Sequence, residues 1–315
     1  MKRLFVTLAA LGFFAAAALG QDVQAGVEIL KAGVESFAEN KELACNQFTE
    51  ALGIFEAVEE PEDAEQLEQL NEYKAQCKDL IVKSLLGLAK ENIRDAKYEE
   101  ALALLDKTIA KGEEYGVAED VESAKELIPA VYKQKANSLM KAEDYTAAIA
   151  AWNDVIAQNP EDGTSYLLLG QATMKTGELD GAIAAFEKAN DLGQANAAKL
   201  LSNCYLKKGQ AYLKAGKNAE AIQALEKSNE YIPSGNAYKL LASANLKSGK
   251  SSAAIDAYKK YLEVQPNAKD AADIQFTIAA TAQKAGDKAT AKEYYNMLKG
   301  NAKYGAQAEA QLRAL

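Results

Sequence analysis

The sequence contains no histidine at any of its 315 positions. That removes Ser-His-Asp and Cys-His catalysis, zinc, copper or haem held by imidazole, and any switch built on histidine titration near neutrality. Proline is scarce, with five residues, cysteine scarcer, with three, and tryptophan occurs once. Little proline leaves helices uninterrupted, and no run of alternating β-branched residues suggests a strand. Positive charge is also in deficit, with 36 Lys and Arg against 45 Asp and Glu, a formal net charge of −9. Phosphate-backbone binding needs clustered excess cations, so nucleic acid is not expected as a partner. Neither a strand-turn-helix elbow nor a phosphate-cradling glycine loop is present. No cofactor and no metal site is expected, and the chain reads as a non-enzyme.

What is present is enough for one large domain, two ordinary ones or a repeat array, at 49% hydrophobic and 26% charged residues. Lys2 and Arg3 precede an apolar run from Leu4 to Leu19, broken only by Thr7 and Gly12. The run is shorter than the roughly 20 residues a spanning helix needs and ends in small residues, the pattern of a secretory signal. Residues 1–20 are therefore expected to be a signal peptide. Ala18 and Gly20 suit cleavage before Gln21, and Val23 and Ala25 offer a second choice before Gly26. The absence of a following Cys argues against a lipid anchor. The expected destination is the periplasm or the exterior, with no stable membrane span after cleavage.

The remainder is rich in Ala, Leu, Glu, Lys and Gln and reads as all-α. Internal repeats settle the architecture. Take Ala44, Ala101, Ala148, Ala182, Ala221, Ala254 and Ala291 as anchors. Four residues later stand Phe48, Leu105, Trp152, Phe186, Leu225, Tyr258 and Tyr295, all large. Twelve residues earlier stand Ala32, Ala89, Ala136, Gly170, Gly209, Ala242 and Ala279, all small. Sixteen earlier come Leu85, Tyr132, Tyr166, Tyr205 and Tyr238, with Glu28 and Gln275 breaking the column at its ends. Small residues on facing helices A and B permit close backbone approach, and the large residue one turn on fills the groove beside it. Gly177, Gly216, Gly249 and Gly286, five before their anchors, mark the end of helix A, and Pro160, Pro233 and Pro266, twelve after theirs, mark the end of helix B.

This pattern resembles the tetratricopeptide repeat (TPR) family, most clearly in Tyr166, Leu169, Gly170, Gly177, Ala182, Phe186 and Ala189. The resemblance implies an α-solenoid of about seven stacked antiparallel helix pairs, coiled as a right-handed superhelix with the A helices lining a concave groove. Anchor spacings of 34, 39, 33 and 37 follow Ala148, but 57 and 47 precede it, so extended or extra helices are expected there. Leu70, Tyr73, Cys77, Leu80, Ile81, Leu85 and Leu88 form one long amphipathic helix after Pro61, and Pro129 is expected to interrupt the next such segment. The divisions drawn are a signal over 1–20, divergent helical repeats over 21–130, a TPR-like array over 131–300 and a capping helix over 301–315.

The resemblance places function in the groove, giving an exported, non-catalytic scaffold or adaptor for a protein or peptide segment. The alternative is a helical-repeat enzyme or carbohydrate-binding subunit of the cell envelope. In the family's register, Met140, Leu167, Met174, Leu206, Leu213, Leu246 and Phe276 project from groove positions, either as an apolar path for a partner or as packing against neighbouring helices. Lys133, Asn137 and Lys207 match part of the family's carboxylate clamp, but Leu168 and Asn203 stand where Asn and Lys are needed. A further column, Arg94, Lys141, Lys175, Lys214, Lys247 and Lys284, lies seven before each anchor. It suits either an anionic ligand or the negative end of each helix dipole. The cation-free run from Glu56 to Glu72 has no calcium-loop spacing and reads as a solvated helix start. Export makes the cysteines informative. With the hairpin centred near residue 60, Cys45 and Cys77 are nearly level on antiparallel helices, as a disulfide or as two small buried hydrophobes.

Overall fold

The computed structural model describes residues 20–315, so the expected signal segment lies outside it apart from Gly20. Fifteen α-helices and no strand occur among the described residues. The chain divides into two compact units, ending and beginning at Glu143 and Asp144.

The first unit packs α1 (Gln21–Ser36), α2 (Lys41–Ala57), α3 (Ala64–Arg94), α4 (Tyr98–Tyr115) and α5 (Ala118–Lys141), each against the next, with α3 also touching α5. The long anchor spacings are absorbed by long A helices, 31 residues in α3 and 24 in α5. Asp63 opens α3 by accepting a hydrogen bond from the Gln66 amide, and the helix then buries Leu70, Tyr73, Cys77, Leu80, Ile81 and Leu85 on one stripe. Pro129 does not interrupt α5, contrary to expectation. A proline leaves the carbonyl four residues back without its donor, but Pro129 is on the exposed side, where water serves that carbonyl. Val121 and Ala124 before it and Val131 and Ala136 after it are all buried, and that packing carries the helix through.

The small-residue column also shifts in the first helix pair. A Cβ at Gly33 would stand 2.6 Å from the Phe48 ring, and one at Gly26 would stand 2.5 Å from Phe55, so glycines rather than Ala32 face the large residues. Gly33 and Phe48 are 15 residues apart, one fewer than the facing pairs Gly170–Phe186 and Gly209–Leu225, each 16 apart.

Cys45 and Cys77 are free thiols, and the structure corrects the register behind the expected bridge. Phe55 stacks on Tyr73 with ring centroids 5.3 Å apart, and a Cβ at Gly87 would meet the Lys41 side chain at 2.5 Å. Stepping four residues from the Phe55–Tyr73 pair in opposite directions sets Cys77 opposite Ala51. Cys45 is six residues further along α2, about 9 Å of helix, beyond the roughly 7 Å a disulfide spans. Burial pushes the Cys77 thiol up to about 12, with the Glu56 carboxylate adding to the shift, and burial likewise raises Cys45.

The second unit consists of α6 (Tyr145–Gln158), α7 (Gly163–Thr176), α8 (Leu179–Asp191), α9 (Ala197–Lys214), α10 (Asn218–Tyr231), α11 (Gly235–Lys247), α12 (Ser251–Val264), α13 (Ala271–Ala285), α14 (Lys288–Met297) and α15 (Gly305–Ala314). Each helix packs on the next, the pattern of a solenoid of antiparallel helix pairs, and α9 also touches α11. The sequence code is its core. Ala148, Ala182, Ala221, Ala254 and Ala291 are fully buried, and so are Trp152, Phe186 and Leu225 to within 1%. Gly177, Gly216, Gly249 and Gly286 take φ between +73° and +91° at the A-to-B turns, where a Cβ would be strained. Helices α6, α10 and α12 end two residues before Pro160, Pro233 and Pro266. The terminal helix α15 closes the array, with Ala308 buried and Tyr304 stacked on Phe276 at 4.6 Å.

Candidate functional site

Four A helices of the second unit, α7, α9, α11 and α13, present equivalent positions. On α9 these are Asn203, Leu206, Gln210, Leu213 and Lys214, spaced so that all five share one face. Leu206, Leu213 and Leu246 are half-buried and pack on the cluster around Leu225, Leu241, Tyr258 and Ile278. Leu167 and Met174 pack similarly on Ile183, Phe186, Leu201 and Cys204, with the Cys204 thiol donating to the Met174 sulfur at 3.8 Å. These side chains wedge between helices while keeping one edge in solvent. Phe276 is committed further, edge-on to Tyr295 at 5.8 Å and stacked under Tyr304, so it serves the terminal cap. Lys207 is exposed on α9.

Met140, Lys133 and Asn137 lie in the first unit, on α5. Met140 is half-buried, Lys133 and Asn137 are exposed, and the Asn137 amide donates to the Lys133 carbonyl at 2.9 Å.

Residues 133–197 and 206–272 match the tetratricopeptide repeat family. Among solved structures, MamA is similar at 21% identity over 57% of this chain and 94% of its own, with a TM-score of 0.35. The C-terminal part of a TPR repeat-containing protein from Cytophaga hutchinsonii is similar at 21% identity over 70% of this chain and 81% of its own, with a TM-score of 0.38. YrrB, described as a TPR protein with an unusual peptide-binding site, is similar at 17% identity over 60% of this chain and 97% of its own, with a TM-score of 0.34. No curated protein matches the sequence.

Within these repeats the polar side chains sort into tied and untied groups. Lys239, at a groove position of α11, is ion-paired with Asp270 at the start of α13. Asp270 also accepts from the Tyr261 hydroxyl of α12 at 2.5 Å, so one carboxylate links three helices. The Lys239 ammonium, and then the Tyr261 hydroxyl, hold Asp270 below the usual carboxylate range, and that same hydrogen bond pushes Tyr261 up to about 12. On the other side of α9, Tyr205, Lys208 and Tyr212 face Glu220, Lys227 and Glu230 of α10 across an open cleft of about 400 Å³. Tyr205 donates to Glu187 at 2.9 Å and stacks on Tyr231, and Lys208 pairs with Asp180. In the sequence Tyr205 belongs to the repeat-packing column, and the cleft has one signal there, an aromatic pair seven apart with a lysine between.

Among the described residues, no group of three or more acidic or cysteine side chains is gathered as metal ligands, and no helix is long and apolar enough to cross a membrane.

Proposed function

We propose that the protein is an exported, non-catalytic interaction scaffold that holds a segment of a protein partner against the face formed by α7, α9, α11 and α13. The observation that carries this reading is the repetition on successive A helices of half-buried apolar side chains, Leu167, Met174, Leu206, Leu213 and Leu246, each with an edge left in solvent. Such edges offer apolar area to an incoming segment without the cost of exposing whole side chains. The family match over residues 133–197 and 206–272 supports a binding rather than a catalytic role, and the absence of histidine removes the commonest catalytic groups. Export rests on the charged-then-apolar pattern of residues 1–20, and α1 starts at Gln21, so cleavage there leaves the helix whole.

The test is affinity capture from envelope extracts, comparing the native chain with Leu206→Asp/Leu213→Asp. A defined partner retained by the native chain and lost by the variant, with the helical circular dichroism signal unchanged, is the expected outcome. Unfolding of the variant would instead assign both leucines to the core, and hydrolytic turnover of a glycan panel by the native protein would overturn the non-catalytic reading.

A further inference from the structure

Four lysines hold the same place on four successive A helices: Lys175, Lys214, Lys247 and Lys284 stand in the last turns of α7, α9, α11 and α13. All four are exposed. The negative end of each helix explains why a cation stands there. Four other lysines of the same unit are ion-paired, Lys208 with Asp180, Lys227 with Glu230, Lys239 with Asp270 and Lys303 with Asp273, and most of the remaining ones among the described residues, Lys188, Lys199 and Lys207 for example, are not, so what sets this row apart is its register on successive A helices beside apolar edges. None of the four has a carboxylate within ion-pair distance among the described residues, and Lys175 lies 5.9 Å from the Tyr145 ring centroid instead.

The row also stands out against the charge of the chain. Residues 20–143 carry 14 Lys and Arg against 27 Asp and Glu, a net −13, whereas residues 144–315 carry 20 against 18, a net +2. Each lysine directly follows a groove position, in order Met174, Leu213, Leu246 and Gln283, so three of the four helices offer an apolar edge beside a cation. Among these A helices α9 touches α11; helices in contact lie about 8–10 Å apart, and an extended chain advances about 3.3 Å per residue. Lys214 and Lys247, on that contacting pair, are therefore matched by carboxylates about three residues apart in an extended segment.

We propose that the segment bound on this face is acidic and extended, with side-chain carboxylates at about every third residue pairing with Lys175, Lys214, Lys247 and Lys284, and apolar residues between them resting on Met174, Leu213 and Leu246. This rests on the reading of the A-helix face as the partner-binding face. It differs from a carboxylate clamp because the anions are side chains and not a chain terminus.

The test is fluorescence anisotropy with the whole chain and a labelled peptide of about 12 residues, long enough to cross four helices. The peptide is acetylated and amidated, with Glu at every third position and Leu and Ser between, and a second peptide carries Gln for Glu. The Glu peptide is expected to bind about tenfold or more tightly at low salt, with the advantage shrinking as salt screens the exposed pairs. Lys175→Gln/Lys214→Gln/Lys247→Gln/Lys284→Gln should abolish that preference while leaving the weaker Gln peptide and the helical signal unchanged. Equal affinity for the two peptides, a preference that survives the quadruple variant, or no binding of either peptide overturns the lysine assignment. If both peptides bind equally and Leu206→Asp/Leu213→Asp releases them, the lysine row fails while the binding face stands.

Discussion

The turn position five residues before each anchor shows how one dihedral angle constrains a residue choice. Where it is Gly177, Gly216, Gly249 or Gly286, φ is positive without steric cost, but the equivalent places before Ala101 and Ala148 are Ala96 and Glu143, both at φ +59°. A Cβ in this left-handed region costs about 1–2 kcal/mol, partly offset by the backbone entropy a glycine loses on folding. Ala96→Gly and Glu143→Gly should therefore each stabilise the chain by about 0.5–1 kcal/mol, and Gly177→Ala should destabilise it by about 1 kcal/mol. Urea midpoints check this, and a loss of stability in either glycine variant would mean the turn is not held in that geometry in solution. The same residues mark what was legible. The turn angle could be read wherever the sequence spells glycine, and was invisible at Ala96 and Glu143, where packing on both sides imposes an angle the residue itself disfavours.

Elements were legible where period and punctuation agreed. The stripe from Leu70 to Leu85 lies on one helix and the prolines at 160, 233 and 266 close their B helices, because in each case a local rule and the tertiary packing ask for the same thing. Where they conflict, packing wins, as α5 shows by running through Pro129. Register between helices was the least legible level, since it depends on where side chains such as Phe55 and Tyr73 stack and not on the midpoint of a loop. The A-helix face was legible as a set of positions, but the role of Phe276 in the terminal cap depends on Tyr304, a residue outside any repeat column. The link among α11, α12 and α13 through Asp270 was likewise unreadable, because Lys239, Tyr261 and Asp270 belong to no common spacing. Since Asp270 is held below its ordinary value, its contribution to folding is present above the unfolded carboxylate value of about 3.9 and is lost as pH falls through the folded one. Asp270→Asn should thus lower stability at pH 7 by about 1 kcal/mol or less, the usual worth of a solvent-reached pair, and the gap from the native chain should close as acid protonates Asp270 below about pH 4. Thermal unfolding across pH measures that gap, and a gap of constant size would show that the link acts by shape alone.

At the scale of the whole molecule, the formal charge of −9 conceals two very different parts, −13 over residues 20–143 and +2 over 144–315, with Lys2 and Arg3 supplying the remaining +2. Self-repulsion among like charges opposes the compact state and is weakened by salt, whose screening length falls from about 30 Å at 0.01 M to about 10 Å at 0.1 M. The exposed carboxylates Glu59, Glu60, Glu62, Glu65, Glu68 and Glu72, crowded along the start of α3 and the loop before it, put much of that repulsion in the first unit. In the second unit, opposite charges nearly balance and several are already paired, so screening has little repulsion to relieve and some attraction to weaken. The two halves can be followed separately because the single tryptophan, Trp152, is buried in α6 of the second unit, while far-ultraviolet circular dichroism reports both. Adding salt over that range should raise the melting temperature of the part of the helical signal that does not follow Trp152, and leave the Trp152 fluorescence transition unchanged or slightly lower. Parallel upward shifts in both signals would show that the charge imbalance is not what limits the stability of the first unit.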